Sequence, residues 1–289
     1  MIVMRLKGGL GNQLFQYALG RSLSLAKNTS LALDTASYKY DHLREYRLSN
    51  FQIVGTASDN LPFFATDGRK KYFNKLIQSI RSIFGTPYQI IKEKEFSFDS
   101  SVLDCSDQAY LDGFWQSEKY FLPAVQTIRN DLRLKMPLPA HLESIAQQIS
   151  AATSVSLHVR RGDYVSNPTT TAYHGVCSAQ WYMQAASFIE HRIDQPTFFV
   201  FSDDPEWAKE NLHFQSKAVF IAPSPDGQEC NDMHLMSLCK HNIIANSSFS
   251  WWGAWLNRNP QKIVIAPKNW FVAGPQNTAD LIPDSWFRL

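Results

Sequence analysis

The sequence predicts an α/β protein built on parallel sheets. Short β-prone segments alternate with segments whose apolar residues recur every three or four positions, the pattern of strands alternating with amphipathic helices. Polar and charged residues gather just after several predicted strands, where parallel sheets bind ligands. The chain has 289 residues, a length that suits two domains of ordinary size.

The first elements predict a β-α-β unit. An apolar run over 2–6 meets the glycine-rich segment 8–11, and helical periodicity then continues to Lys27. A second apolar run over 31–34 returns as a strand, which predicts parallel pairing with the first. Between about residues 50 and 106 the pattern is too weak to define elements, with one exception described next.

The exception is an amphipathic helix over 69–84, with one apolar face and a basic face. One interpretation packs this helix on the core with its basic face solvated, since most surface helices have this pattern. The other lays it on an anionic membrane surface as a peripheral contact on the inner face of the membrane.

The second half repeats the alternation more regularly, and the boundary is predicted near residue 150, giving domains 1–150 and 151–289. A helix over 139–151 precedes a strand over 154–159. The later predicted elements are helices 178–192, 205–212, 232–240 and 249–257, alternating with strands 197–201, 218–222, 242–245 and 262–266. This order predicts a doubly wound parallel sheet.

Composition excludes some classes of protein. The net charge is +2, from 28 basic and 26 acidic residues, so nucleic acid is not an expected partner. The four cysteines form no C-x-x-C pair and the chain opens without a secretory signal pattern, which favours a cytoplasmic protein with free thiols. No apolar run approaches the roughly 18 residues that a membrane span needs.

Two common nucleotide-binding motifs are absent from the sequence. Counting G-x-G-x-x-G from Gly9 requires a third glycine where Leu14 stands, and no G-x-x-x-x-G-K-[ST] loop occurs. The remaining glycine-rich turn before a helix still lets backbone N–H groups approach an anion. It is equally the pattern of a simple tight turn.

The pair Asp203-Asp204 has two interpretations. Carboxylates in a D-x-D pattern hold Mg²⁺ or Mn²⁺ in many enzymes, but adjacent acids on an extended strand point to opposite faces. Asp204 followed by Pro205 is more simply the start of a helix, with an acidic N-cap and proline at the first position. No metal site is predicted.

The segment 158–164 places charged groups at a strand end. His158 and Arg160 are two apart and project to the same side of an extended strand. A guanidinium matches phosphate oxygens and keeps its charge, so Arg160 suits a diphosphate where no metal helps. Gly162 is expected to permit the turn that returns Asp163 to the same strand end as Arg160. The alternative is a structural ion-pair cluster of Arg160, Arg161 and Asp163.

A second candidate anion site lies at 246–250 (NSSFS), where a later strand ends in hydroxyl residues and a helix begins. Its N–H groups suit a phosphate, and plain N-capping is compatible with that role. The spacing of Trp251, Trp252 and Trp255 favours core packing. His174 and Cys177 could suggest a nucleophile pair, but an acceptor-loop or structural role is favoured.

Four segments together resemble the motif set of the α-1,2-fucosyltransferases, and of their bacterial members in particular. The segments are 8–18 (GGLGNQLFQYA), 158–165 (HVRRGDYV), 201–204 (FSDD) and 246–256 (NSSFSWWGAWL). They occur in the family's order and span the chain from residue 8 to about 257.

The resemblance implies a GT-B fold of two facing Rossmann-like domains, the first on the acceptor side and the second binding GDP-fucose. It further implies transfer with inversion to a galactose-terminated oligosaccharide or lipid-linked glycan, with no cofactor and no metal. The linkage and acceptor stay open within the wider fucosyltransferase group, and a non-catalytic binding protein of the same fold is the alternative from another class.

The resemblance also implies residue roles. Arg160 corresponds to the arginine that grips the diphosphate. The other implied donor-binding residues are His158 and Asp232 at guanine or ribose, Ser247, Ser248, Phe249 and Ser250 at phosphate and base, and Asn12 in the glycine-rich loop. Asp163 is the candidate general base, and orienting an arginine is its competing role.

Overall fold

The computed structural model describes residues 1–61, 88–225, 227–275 and 277–289. The chain forms two compact units, Met1–Leu132 and Arg133–Leu289. The predicted boundary near residue 150 lies later than this division, because the helix that ends at Ala151 packs in the core of the second unit. The predicted basic helix over 69–84 lies outside the described residues.

The first unit contains a parallel sheet in the order β3-β2-β1-β5-β4. Its strands are β1 (Ile2–Arg5), β2 (Leu31–Asp34), β3 (Thr56–Ser58), β4 (Gln89–Lys92) and β5 (Ala109–Asp112). Its helices are α1 (Leu10–Ala26) and α2 (Val125–Asp131), with 3-10 turns at Ala36–Lys39, Leu48–Asn50, Ser100–Asp104, Glu118–Tyr120 and Leu122–Ala124.

Helix α1 packs closely on this sheet. A Cβ atom added at Gly20 would lie 2.9 Å from Leu31 Cδ1 and 3.3 Å from Met4 Cβ, so a larger residue there would displace the Leu31 side chain. Gly8, with φ +78°, turns the chain from β1 into the helix. The glycine-rich turn therefore lies at the carboxyl end of β1.

The second unit contains a parallel sheet in the order β11-β10-β9-β6-β7-β8. Its strands are β6 (Thr153–Val159), β7 (Pro196–Ser202), β8 (Lys217–Ile221), β9 (His241–Ile243), β10 (Val264–Ala266) and β11 (Phe287–Arg288). Its helices are α3 (Ala140–Ala151), α4 (Gly162–Ser166), α5 (Pro168–His174), α6 (Ala179–Glu190), α7 (Pro205–Asn211), α8 (Glu229–Leu238) and α9 (Ser248–Leu256).

This second sheet has a buried core on each face. Phe198 packs with residues of α6 and α7 on one side, whereas its neighbour Phe199 packs with residues of α3 and α8 on the other. Alternate residues of a strand point to opposite faces, so both faces are covered by helices. The predicted α/β fold with doubly wound parallel strands is confirmed.

Each sheet has one point where the direction of winding reverses. The chain runs outward from β1 to β2 and β3, then places β5 on the other side of β1. It runs outward from β6 to β7 and β8, then places β9 on the other side of β6. A crevice opens at such switch points, beyond the carboxyl ends of the strands.

Candidate active site

Arg160 directly follows β6 at the switch point of the second sheet. Its Nη2 lies 2.6 Å from Asp163 Oδ1, and its Nη1 lies 2.9 Å from Asp203 Oδ2. The guanidinium carbon also lies 5.3 Å from the centre of the Tyr164 ring. A guanidinium carries five N–H donors, so two carboxylate contacts leave donors for a further anion.

Asp203 makes the second fixed contact in this cluster. Its Oδ1 accepts the backbone N–H of Arg161 at 2.8 Å, while Oδ2 faces Arg160. A Cβ atom at Gly162 would lie 2.6 Å from Asp203 Oδ2. Gly162 is therefore needed for the close approach of Asp203, and the turn that begins at Gly162 returns Asp163 to Arg160.

Arg161 belongs to a neighbouring structural contact. Its Nε lies 3.1 Å from Asp204 Oδ2, and its guanidinium carbon lies 3.9 Å from the centre of the Trp207 ring. Asp204 also accepts the Trp207 backbone N–H at 3.3 Å and so caps α7, with Pro205 in the first turn. The prediction of a helix start at this pair is confirmed.

The N-terminus of α9 lies at the other side of the same switch point, after β9. Ser247 is the N-cap residue, but its side chain makes no capping hydrogen bond. Its carbonyl accepts the Trp251 N–H at 3.0 Å and the Ser250 hydroxyl at 3.3 Å. The positive end of the helix dipole and its early N–H groups make this a favourable place for a phosphate.

His158 at the end of β6 and Phe249 at the start of α9 are in contact across the switch point. Their ring centres lie 5.6 Å apart, and only 5% of His158 is exposed. Within the described part of the chain, the buried His158 Nδ1 has no hydrogen-bond partner. Burial, and after it the charge of Arg160, lowers the pKa of His158 to about 3, so its ring is neutral at physiological pH.

Asn246, the first residue of the candidate anion segment 246–250, is buried. Its amide nitrogen donates to the carbonyl oxygens of His174 at 2.9 Å, Trp270 at 3.2 Å and Gly175 at 3.4 Å. The backbone carbonyl oxygen of Asn246 also accepts a hydrogen bond from Tyr164 Oη at 3.4 Å. Asn246 thus ties the end of α5 and the segment at Trp270 to the chain that leads into α9.

His174 and Cys177 make separate packing and hydrogen-bond contacts. The His174 ring stacks on Tyr164 with centres 4.6 Å apart, beside Arg160. Cys177 Sγ donates to Asn246 Oδ1 at 3.7 Å, and burial raises the pKa of the thiol to about 11. A protonated thiol is a weak nucleophile, so the structural role is the one that fits.

The remaining predicted donor residues, Asp232 and Asn12, are held by local hydrogen bonds. The Asp232 carboxylate accepts from the backbone N–H of Ser224 at 3.1 Å and from its hydroxyl at 2.6 Å, and burial raises its pKa. Asn12 lies in the first unit, where its Oδ1 accepts from Gln116 Nε2 at 2.7 Å.

The tryptophans after Ser250 belong to the core. Trp251 and Trp252 are fully buried and 3% of Trp255 is exposed. Trp251 Nε1 also donates to the carbonyl of Leu281 at 2.8 Å. The prediction of core packing is confirmed. All four cysteines are free, and no helix in the described part of the chain is long and apolar enough to cross a membrane.

The fold matches that of known glycosyltransferases. The α-1,6-fucosyltransferase NodZ soaked with GDP-fucose aligns with a TM-score of 0.53 at 14% identity, over 91% of this chain and 94% of that one. A variant of Arabidopsis thaliana FUT1 in complex with GDP aligns with a TM-score of 0.54 at 13% identity, over 93% and 71%. The two parallel-sheet units therefore have the GT-B type of fold.

The sequence narrows this class to one family. The model of glycosyl transferase family 11 matches residues 1–287, and the chain belongs to that family. An alpha-1,2-colitosyltransferase of Escherichia coli is 37% identical, over 100% of this chain and 99% of that protein. The human galactoside alpha-(1,2)-fucosyltransferase 1 is 32% identical over 50% of this chain and 42% of its own length. The resemblance to the α-1,2-fucosyltransferase family is confirmed.

Proposed function

We propose that this glycosyltransferase moves L-fucose from GDP-fucose to the 2-hydroxyl of a β-linked galactose at the end of an oligosaccharide, with inversion and without a metal. The observation that carries the proposal is the position of Arg160. It lies at the switch point of the second sheet, with the N-terminus of α9 following the neighbouring strand. Proteins named as galactoside 2-α-L-fucosyltransferases are among the relatives of the chain.

The proposed reaction is a single displacement. The galactose 2-oxygen forms a bond to fucose C1 from one face while the bond from C1 to the diphosphate breaks on the other, through an oxocarbenium-like transition state. Negative charge grows on the leaving GDP. Arg160 and the α9 N-terminus stabilise that charge, and loss of one such preorganised donor costs roughly 10² to 10³ in rate.

The acceptor hydroxyl loses its proton in the same step. Asp163 is the candidate base, but its Oδ1 lies 2.6 Å from Arg160 Nη2, a contact that supports the competing role of orienting the arginine. The two roles separate in a pH-rate profile. If Asp163 is the base, its acidic limb disappears in Asp163→Asn; if Asp163 orients the arginine, the limb persists and the rate falls throughout.

The other donor contacts follow from the same placement. His158 offers a neutral ring to guanine or ribose, next to Phe249. Ser247, Ser248 and Ser250 offer hydroxyl and backbone donors to phosphate. Asp232 and Asn12 are assigned to the donor by resemblance alone, and their partners Ser224 and Gln116 would hold them in position.

A second candidate donor follows from the relative named as a colitosyltransferase. Colitose is fucose without its 3-hydroxyl, so the two donors share the nucleotide, the diphosphate and the reacting carbon. Only a group that hydrogen-bonds the fucose 3-hydroxyl discriminates between them, because a buried polar group left unpaired is costly. Parallel assays with both GDP-sugars identify the preferred donor.

The deciding experiment uses the purified chain with GDP-fucose, lactose and EDTA. We expect released GDP and a product with fucose on the galactose 2-hydroxyl. GDP-fucose binding without GDP release would favour a non-catalytic binding protein, and another linkage in the product would favour another class of fucosyltransferase. A requirement for added Mn²⁺ would contradict the metal-free mechanism.

Two further comparisons complete the test. Arg160→Ala is expected to abolish transfer while Arg192→Ala, which removes an arginine stacked on Phe188 on the far end of α6, keeps it. A lipid-linked glycan is the natural acceptor we propose, with peripheral membrane contact through 69–84. Liposome binding that survives removal of the basic residues of 69–84 would contradict that contact.

A further inference from the structure

The first sheet has its own switch point, between β1 and β5. Met4 in β1 pairs with Leu111 in β5, so the two carboxyl ends lie side by side. The glycine-rich turn follows one of them. The segment 113–116, called here the β5 turn, follows the other.

The β5 turn is held in an unfavourable backbone conformation. Trp115 has φ +56°, a region that costs a bulky residue roughly 1–3 kcal/mol. Both oxygens of Glu93 fix it, accepting the backbone N–H groups of Phe114 at 2.7 Å and Trp115 at 2.9 Å. Gly113 is also required, because a Cβ there would lie 2.4 Å from Glu93 Cβ.

Burial of the Trp115 indole against Tyr120, with ring centres 5.7 Å apart, offsets part of this cost but leaves one polar group unpaired in the part of the chain that the structure describes. Trp115 is only 1% exposed, and its buried Nε1–H has no acceptor among the described residues. An unsatisfied buried donor costs a further 1–3 kcal/mol or so. Strain of this kind persists where surrounding contacts over-determine it, and it is concentrated at functional sites.

The turn presents a specific set of side chains around its rim. Phe114 is partly exposed, and Lys7 Nζ lies 4.8 Å from its ring centre while bound to Asp112 Oδ1 at 2.8 Å. Gln116 Nε2 donates to Asn12 Oδ1 at 2.7 Å. The Phe114 ring thus has the Lys7 ammonium beside it, and the nearly buried Gln116 amide follows two residues later in the turn.

We propose that Phe114, Gln116 and Lys7 form the subsite that binds the acceptor saccharide. The ring of Phe114 packs against the C–H face of a hexose, and the Gln116 amide and Lys7 ammonium bind its hydroxyls. The Asn12–Gln116 bond places this subsite next to the residue assigned to the donor. The inference rests on the proposed transfer to a sugar hydroxyl and adds the residues that select the acceptor.

The test compares Phe114→Ala with Tyr40→Ala, a matched loss of an aromatic ring at a residue of the same unit that is 65% exposed. We expect Phe114→Ala to raise KM for lactose about tenfold or more, because base or sugar stacking on one aromatic ring is worth roughly 1–3 kcal/mol. KM for GDP-fucose, and GDP release by hydrolysis without acceptor, should be unchanged. Tyr40→Ala should change neither KM.

A second variant guards against a folding defect. Phe114→Leu keeps apolar volume but removes the flat face, so it should raise KM for lactose in the same way. Phe114→Tyr keeps the flat face, so its KM for lactose should stay near the wild-type value. A KM for lactose within about twofold of wild type in Phe114→Leu, in a variant with the wild-type unfolding temperature, would overturn the subsite.

The outcome separates the two proposals. If the wild-type chain transfers no sugar, the proposed function fails. If it transfers fucose and Phe114→Leu leaves KM for lactose unchanged, only the subsite fails. Saturation-transfer NMR of lactose on the chain with GDP bound provides a readout without turnover. Loss of the lactose signal in Phe114→Leu supports the subsite, and an unchanged signal contradicts it.

Discussion

Arg160 and Asp203 are in contact, 2.9 Å apart between Nη1 and Oδ2, although they follow different strands. The register explains it, because Val159 at the end of β6 pairs with Ser202 at the end of β7. Arg160 and Asp203, the residues that follow these two strands, are therefore neighbours. Asp203 holds the arginine from one side while Asp163 holds it from the other.

This contact predicts that Asp203 positions the arginine. Asp203→Asn removes a charge-assisted bond worth roughly 1.5–3 kcal/mol in a partly buried setting, so we expect kcat to fall about tenfold or more with little change in the unfolding temperature. Asp204→Asn, which weakens only the Arg161 contact, is the matched control. Equal kcat values for the two variants would show that Asp203 has no positioning role.

Gly162 should tolerate no side chain while Asp203 is present. The Cβ of Gly162→Ala would lie 2.6 Å from Asp203 Oδ2, which displaces the carboxylate and reduces kcat. In the background of Asp203→Ala the same glycine change should cost almost nothing, since the clashing atom is gone. A double-mutant cycle measures this coupling, and additive effects of the two changes would contradict it.

Asn246 and Asn257 form a natural comparison at the two ends of α9. The Asn257 amide is buried too, donating to Asn242 Oδ1 at 2.7 Å and to Lys240 O at 3.4 Å. Either change to alanine should cost about 1–3 kcal/mol of stability, because buried carbonyls lose their donor. Only Asn246→Ala should weaken GDP binding, measured by calorimetry, since it loosens the residue before Ser247. Equal GDP affinity in both variants would leave Asn246 with a structural role alone.

The folded chain should lose stability in mild acid. Burial lowers the pKa of His158 to about 3 from an ordinary 6.5, and lowers the pKa values of His174, His234 and His241. The unfolded state then binds more protons than the folded state below pH 6.5. Stability is therefore full above pH 6.5 and falls as the pH drops toward 3, by up to about 1.4 kcal/mol per unit for each histidine fully affected.

Urea unfolding at pH 7.5, 6.5, 5.5 and 4.5 measures this loss. His158→Asn should reduce the loss between pH 6.5 and 4.5, because its side chain takes up no proton there. A loss of the same size in this variant and in wild type would show that other groups govern the acid sensitivity.

Periodicity in the sequence predicted most of the second sheet. The strand predicted over 154–159 is β6, and the helix predicted over 205–212 is α7, each within a residue of its observed bounds. Buried parallel strands carry a strong apolar signal over consecutive residues. The same signal located Arg160 at a strand end and thereby identified the diphosphate candidate.

Contacts that depend on strand order were not predictable. Nothing in the residues around Asp203 indicates that β7 lies beside β6, so its bond to Arg160 could not be foreseen, and the pair Asp203-Asp204 suggested a metal or a helix cap instead. Strand β5 was missed because its four residues carry too little pattern. The β5 turn was therefore missed as well, although Gly113 next to an aromatic pair is a signal that could have marked it.

The charges around Arg160 also bear on the release of GDP in the proposed reaction. Two arginines, Arg160 and Arg161, face three carboxylates, those of Asp163, Asp203 and Asp204. The carboxylates outnumber the arginines by one, so the cluster carries no net positive charge before any nucleotide arrives, and the attraction of this region for GDP would come from directed hydrogen bonds and the helix end. In the proposed reaction such a site directs hydrogen bonds to the leaving group without a net positive charge to retain GDP, which favours turnover over tight product inhibition.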